Sequence, residues 1–148
     1  MKHLLDASAL IPIVTRRGKH LLIEASRENI ATTDLAIYEA CNSLWKLATL
    51  LKIISLEDAL NVAAVLEDLS ANKIIQTVTF DKLDFSRILE RACKEQLTFY
   101  DASYIAAAES MKAVLVTEDE KLRRAASKYV KTMTYSNLER RLKRESKL

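Results

Sequence analysis

Apolar and polar positions along this chain alternate between two periods. Short apolar runs occupy residues 2–5, 29–32, 73–78, 113–117 and, less sharply, 129–132. Runs of that length, bounded by polar residues, read as strands buried in a parallel sheet. Between them lie patterns of helical period over residues 8–14, 18–27, 34–52, 56–72, 81–95, 99–111, 118–128 and 136–144. In the long 34–52 segment, Ala36, Ala40, Leu44, Leu47 and Leu51 form one apolar row. Ser55 followed by Asp58 supplies a cap and a first-turn acid for the next helix. Only residues 53–55 separate those two helices, which therefore form a hairpin. The rest alternates strand with helix, the pattern of a helix-rich α/β fold whose central parallel sheet is flanked by helices.

Two of the apolar runs end at an acid. Asp6 follows His3-Leu4-Leu5, and Asp119 lies just beyond Ala113-Val114-Leu115-Val116-Thr117. In open α/β sheets ligands bind beyond the carboxyl ends of strands. Each acid is equally suited to capping the helix that follows it. Glu39 and Asp101 lie inside helical patterns instead. Asp101 shares a row with Ile105 and Ala108, and a carboxylate on a core-facing row is costly unless paired or metal-bound. It also follows Thr98 at capping-box spacing. Glu39 shares a polar strip with Asn42, Ser43 and Lys46 on a helix otherwise apolar all round, which points to a wet pocket or a solvated stripe. Hydrogen bonds alone would not hold four such carboxylates in one cleft. A divalent cation would, and metal-dependent phosphodiester chemistry is the expectation that follows.

Composition narrows the field. The 148 residues suit one domain with a substantial core, 49% apolar and 29% charged. No apolar stretch reaches the roughly 18 residues of a membrane span, and no signal-peptide pattern opens the chain, so the cytoplasm is expected. A single glycine excludes the glycine-rich phosphate loops. Cys41 and Cys93 fall on apolar helix faces without a ligand-spaced histidine and read as small buried hydrophobes. His3 and His20 lie near no other ligand in sequence. Net charge is only +3, yet from Lys121 onward there are ten Lys or Arg against two acids. A basic region beside an acidic pocket suits a polyanion that must also meet a metal. Lys121, Arg123, Arg124 and Lys128 follow the fourth acid directly and are candidates for holding a nucleic-acid backbone.

Four segments in this order resemble the PIN-domain nucleases, and within them the VapC-like toxins of prokaryotic toxin–antitoxin pairs. They are Leu4-Leu5-Asp6-Ala7-Ser8-Ala9-Leu10, the helix carrying Glu39-Ala40-Cys41-Asn42, Phe99-Tyr100-Asp101-Ala102-Ser103-Tyr104, and Leu115-Val116-Thr117-Glu118-Asp119-Glu120. The resemblance spans about residues 1–135, with 136–148 a basic helix and partly disordered tail of the same domain. It implies a three-layer α/β/α domain, an acidic cluster of Asp6, Glu39, Asp101 and Asp119 binding Mg2+ or Mn2+, and supporting polar positions at Ser8, Asn42 and Thr117. It further implies RNA as substrate, a homodimer, and a cognate antitoxin as partner. Two departures stand out. Ser110-Met111-Lys112-Ala113 lacks the glycine such proteins tend to carry there, and Glu118 and Glu120 compete with Asp119 as the fourth ligand. A haloacid-dehalogenase phosphatase would need a second Asp where Ser8 stands, and a receiver domain an acidic neighbour for Asp6. The alternative from another class is a catalytically inactive PIN-like module that binds RNA or scaffolds a processing complex.

Overall fold

The apolar runs become strands only two to four residues long, and the inner ones are sealed on both faces. The computed structural model describes residues 1–16 and 29–145. Strands β1 (His3–Leu5), β2 (Ile30–Thr33), β3 (Gln76–Val78), β4 (Val114–Val116) and β5 (Thr132–Met133) form one sheet in the order β3-β2-β1-β4-β5. All four pairings are parallel, with His3 opposite both Ile30 and Val114. The chain moves outward from β1 to β3, then crosses back to β4 on the other side. Right-handed crossovers in opposite directions put helices on both faces, and the reversal leaves a crevice beyond the carboxyl ends of β1 and β4.

The helices are α1 (residues 7–16), α2 (Asp34–Trp45), α3 (Leu56–Ala71), α4 (Phe85–Glu95), α5 (Phe99–Met111), α6 (Glu120–Ala126) and α7 (Tyr135–Glu145). The helix expected over 18–27, with His20 in it, lies outside the described residues. Three expectations are corrected. The row on α2 stays buried through Ala36, Ala40 and Leu44, but a π-helical turn at Lys46–Leu50 then breaks the register. The extra residue in that turn rolls Leu51 to the surface, 61% exposed. The helix expected from 81 starts at Phe85, because Asp84 accepts the Arg87 N–H and the preceding Phe80–Lys82 forms only one 3-10 turn. Cys93 is exposed and Cys41 half-buried, so neither is a sealed core residue.

The C-terminal helix is part of the core rather than a frayed appendage. Leu138 and Leu142, one turn apart on α7, are 0% and 3% exposed and pack in the same cluster as Leu4, Leu10, Leu115 and Leu122. Among the described residues no helix is long and apolar enough to cross a membrane.

The missing glycine before β4 is replaced by strain. Lys112 ends α5 in the left-handed region (φ 53, ψ 42), its N–H donating to Ala108 and Glu109, while Ala113 N–H reaches back to Ala108 (2.9 Å). Asn29, Lys52, Lys73 and Gln96 adopt similar positive φ. A side chain at such a position costs of order 1 kcal/mol that glycine would not. Lys112→Gly is therefore expected to stabilise the protein by about 1 kcal/mol, read as a higher denaturation midpoint at unchanged slope; a loss of stability would contradict the strain.

Candidate active site

Asp6 sits immediately past β1 and is 4% exposed. Its Oδ1 accepts the Ser8 hydroxyl (2.6 Å) and the Ala9 N–H (3.1 Å), so it caps α1. Its Oδ2 accepts the hydroxyl of Thr117, which stands just past β4. Ser8 Oγ in turn accepts the Glu118 N–H (2.9 Å). One carboxylate thereby ties together the ends of the two strands that flank the crevice. Burial pushes its pKa up against these hydrogen bonds, and the charge of Glu39 pushes in the same direction.

Glu39 reaches this cluster from the second turn of α2, which Thr33 caps through Ala36 N–H (3.0 Å). Its Oε1 accepts the hydroxyl of Tyr104 (2.8 Å), a residue on α5 that is 2% exposed. Burial, with Glu39 and Asp6 nearby, shifts the Tyr104 pKa upward, so this phenol is a proton donor throughout the physiological range. Tyr104 is a site residue that the sequence reading passed over. Its signal was the row Asp101, Tyr104 and Ile105, where a phenol stands one turn from a carboxylate.

Asp101 lies in the first turn of α5, its N–H donating to the capping Thr98 hydroxyl (3.0 Å). Burial raises its pKa first, then the charges of Asp119 and Glu39; Thr98 and Lys121 act the other way. Asp119 caps α6 by accepting the Leu122 N–H (3.0 Å), and its own N–H donates to Thr117 Oγ1 (3.0 Å). Its two rivals are turned elsewhere: Glu118 accepts the Tyr135 N–H at the start of α7, and Glu120 pairs with Arg124 (2.6 Å). The four acids thus form one electrostatic group, Asp6 to Glu39, Glu39 to Asp101, and Asp101 to Asp119. Each comes from a separate segment at the sheet's carboxyl edge, and each stands in or before the first two turns of a helix. Among the described residues none of them forms an ion pair, and no three His, Cys, Asp or Glu side chains converge as tightly as a bound metal would hold them.

Of the supporting positions, Ser8 and Thr117 touch Asp6, whereas Asn42 is exposed on α2 one turn beyond Glu39. The basic candidates divide. Lys121 is felt by Asp101, and the Arg123 guanidinium donates to the Thr117 carbonyl (3.4 Å). Arg124 is engaged with Glu120. Lys128 lies past the opposite end of α6, paired with Glu95 (2.7 Å), which takes it away from the acids. A cavity of about 910 Å3 is also elsewhere: it lies between α2, α3 and β3 and is lined by Tyr38, Cys41, Leu66 and Ile75.

A parallel sheet in this order, with four acids gathered at its switch point, defines a PIN-type α/β/α domain. The chain belongs to that family: the family model described as PIN domain matches residues 3–128. It is similar to Exonuclease VapC9 of Pyrobaculum aerophilum, 37% identical over 122 residues that cover 82% of this chain and 84% of the relative. Ribonuclease VapC3 of the same organism is 32% identical over 133 residues, covering 82% of this chain and 92% of the relative. Among solved structures, the crystal structure of PAE2754 from Pyrobaculum aerophilum superposes with a TM-score of 0.71 at 31% identity, covering 96% of each chain.

The raised pKa of Asp101 has a consequence for stability. A carboxyl whose pKa rises on folding favours the folded state while protonated, below its ordinary 3.8, and that contribution is lost as pH rises through the raised value. In EDTA, Asp101→Asn is expected to melt higher than the parent at pH 7. The gap should close as pH falls to 3.8, as followed by circular dichroism; a gap that is constant with pH would remove the charge argument.

Proposed function

We propose that the protein is a divalent-metal-dependent ribonuclease that hydrolyses RNA phosphodiester bonds internally, and that it serves as the toxin of a toxin–antitoxin pair. The observation that carries this reading is the group of four mutually repelling acids at the sheet's switch point, without a neutralising ion pair among the described residues. The VapC names of two relatives, one called a ribonuclease and the other an exonuclease, support a nuclease of this kind.

The donor set fits Mg2+ or Mn2+. It is all oxygen, strongly anionic and partly open to water, and such hard ions take carboxylates while keeping several waters. Asp6, Glu39, Asp101 and Asp119 would hold the ion. When bound it supplies Lewis-acid stabilisation for the charge that develops on phosphate and makes water a nucleophile at neutral pH. The chain's own groups do the positioning. Ser8, Thr117 and Ala9 N–H fix both oxygens of Asp6, and Tyr104 fixes one oxygen of Glu39. Lys121, beside Asp101, offers a cation to the RNA backbone. Attack by water on phosphorus with the 3′-oxygen as the leaving group, protonated to the 3′-hydroxyl, leaves the phosphate on the 5′-oxygen at the cut.

Protein partners follow from the surface. The α2–α3 hairpin exposes Trp45, Leu50, Leu51, Ile53, Leu56 and Leu60, each more than half accessible. An apolar patch of that kind marks a protein interface. A homodimer and an antitoxin are the proposed partners, in the cytoplasm.

Cleavage of a mixed RNA pool and of a circular RNA, with Mg2+, Mn2+ or EDTA, tests the reading. Metal-dependent cutting of the circle is expected, falling at least 100-fold in Asp6→Asn and Asp101→Asn. Cutting of linear RNA alone would make the protein an exonuclease, and the absence of both cutting and metal binding by calorimetry would favour the inactive scaffold. Tyr104→Phe, which keeps the ring but frees Glu39, is expected to weaken Mg2+ binding by about 10-fold or more with the melt unchanged. Unaltered affinity would show that the phenol does not orient Glu39 for the ion.

A further inference from the structure

We infer that Arg91, Glu95 and Tyr129 form a polar latch at the far end of α5 that positions Asp101 against Asp119 for the metal ion. The inference rests on the metal-site reading above and names positioning residues that lie outside the acid cluster.

The four acids are not fixed alike. Asp6 and Asp119 are tied to the end of β4 through Thr117, and Glu39 is bonded to Tyr104. Among the described residues the Asp101 carboxylate accepts no hydrogen bond from outside its own capping turn, so its place depends on how α5 lies as a rod. Shape keys that rod weakly. Its buried positions include Ala102, Ser103, Ala107 and Ala108. Methyl groups allow close approach but make shallow ridges, which leave the tilt and rotation of a helix loosely determined. Directional contacts must supply the rest.

Such contacts lie at the opposite end of the helix. Glu109, in the last turn of α5, pairs with Arg91 of α4, and Arg87 adds a longer contact (3.4 Å). The Arg91 guanidinium stands over the ring of Tyr129, just past α6, at 4.0 Å. The Tyr129 hydroxyl donates to Glu95 Oε1 (2.6 Å), and Lys128 pairs with Glu95 Oε2 (2.7 Å). Arg91 and Glu95 are one turn apart on α4. One turn of α4 therefore holds the end of α5 to the end of α6, the two helices that Asp101 and Asp119 begin or cap. A change of tilt at the latch is carried along both helices to those acids. Stability alone accounts poorly for the arrangement. The Arg91 and Glu95 side chains are 11% and 6% exposed, and pairing roughly offsets the cost of burying such charges, so apolar side chains would bind the helices as tightly. What a planar guanidinium, a ring face and a phenol add is direction, because each contact holds only over a narrow range of angles.

The test is Mg2+ titration calorimetry on the full-length chain, at a temperature well below the melt of every variant. Tyr129→Phe keeps the ring under Arg91 and removes the bond to Glu95; Arg91→Met also removes the pair with Glu109. Mg2+ affinity is expected to fall about 3-fold in the first and about 10-fold in the second, at or below the low end of what loss of a ligand-orienting group costs. Leu69→Ala, a buried core position on α3, is the control: it should lower the melt at least as far and leave Mg2+ affinity at the parent value. Should Arg91→Met not fold, Tyr129→Phe alone decides. Unchanged affinity in the latch variants, or an equal loss in Leu69→Ala, would reduce the latch to a stability feature and overturn the inference while leaving the metal site intact. A folded parent that binds no Mg2+ would remove the metal-site reading and the latch together.

Discussion

The buried carboxylate of Asp6 is the constraint around which this domain is arranged. An acid that is 4% exposed is costly wherever it is ionised, and its cost is offset only by donors held in place. Those donors come from both sides of the crevice: Ser8 and Ala9 from the start of α1, Thr117 from the end of β4. The parallel pairing of Leu5 with Val116 is what puts Thr117 within reach. Ser8 then extends the clasp to the Glu118 N–H, and Thr117 to the Asp119 N–H, so the turn leading into α6 is set by the same few atoms. The strand ends, two helix starts and the site are one hydrogen-bonded unit.

Around that unit the fold gathers more negative charge than it neutralises. Glu39, Asp101 and Asp119 all stand at or near helix N-termini, where the partial positive charge of unsatisfied N–H groups favours anions. That contribution is modest: burial first, and the neighbouring acids after it, still push the Asp6 and Asp101 carboxyls above their ordinary range. The molecule thus gives up some stability in the metal-free state to keep four carboxylates together. On the flanks several acids are paired: Glu109 with Arg91 and Arg87, Glu95 with Lys128, Glu120 with Arg124. What sets the site apart is that four acids from separate segments share one electrostatic group there.

Much of this was legible in the sequence where the determinants are local. Apolar runs of a few residues marked the strands, and the acids that end them marked the crevice, because strand direction alone decides which end ligands approach. The span of α5 was readable because Thr98 caps one end and the apolar row stops at Met111. What escaped the reading depends on distant partners. Tyr104 belongs to the site through Glu39, 65 residues away, and its place one turn from Asp101 hints at the site without revealing that contact. The burial of Leu138 and Leu142 was hidden by the charges around them, which suggested a solvated tail. The start of α4 was misplaced because Thr79, Asp81 and Asp84 all look like caps, and only the anchoring of Phe80 on Asp34 decides among them.

The cap reading and the ligand reading of each acid are not alternatives. A carboxylate has about four lone-pair positions, and a cap occupies one of them. Asp119 gives Oδ1 to Leu122, and Glu39 gives Oε1 to Tyr104, which leaves the other oxygen of each for the crevice. Asp6 spends both oxygens on protein donors but retains lone pairs on Oδ2, where Thr117 is the one described donor. Anchoring one oxygen of an acid removes most of its rotamer freedom on folding, so under the proposed metal-binding role the ordering entropy would be met on folding and not on binding. The hydrogen bonds that make Asp6 and Asp119 ordinary caps are therefore compatible with the proposed role of the four acids as a set.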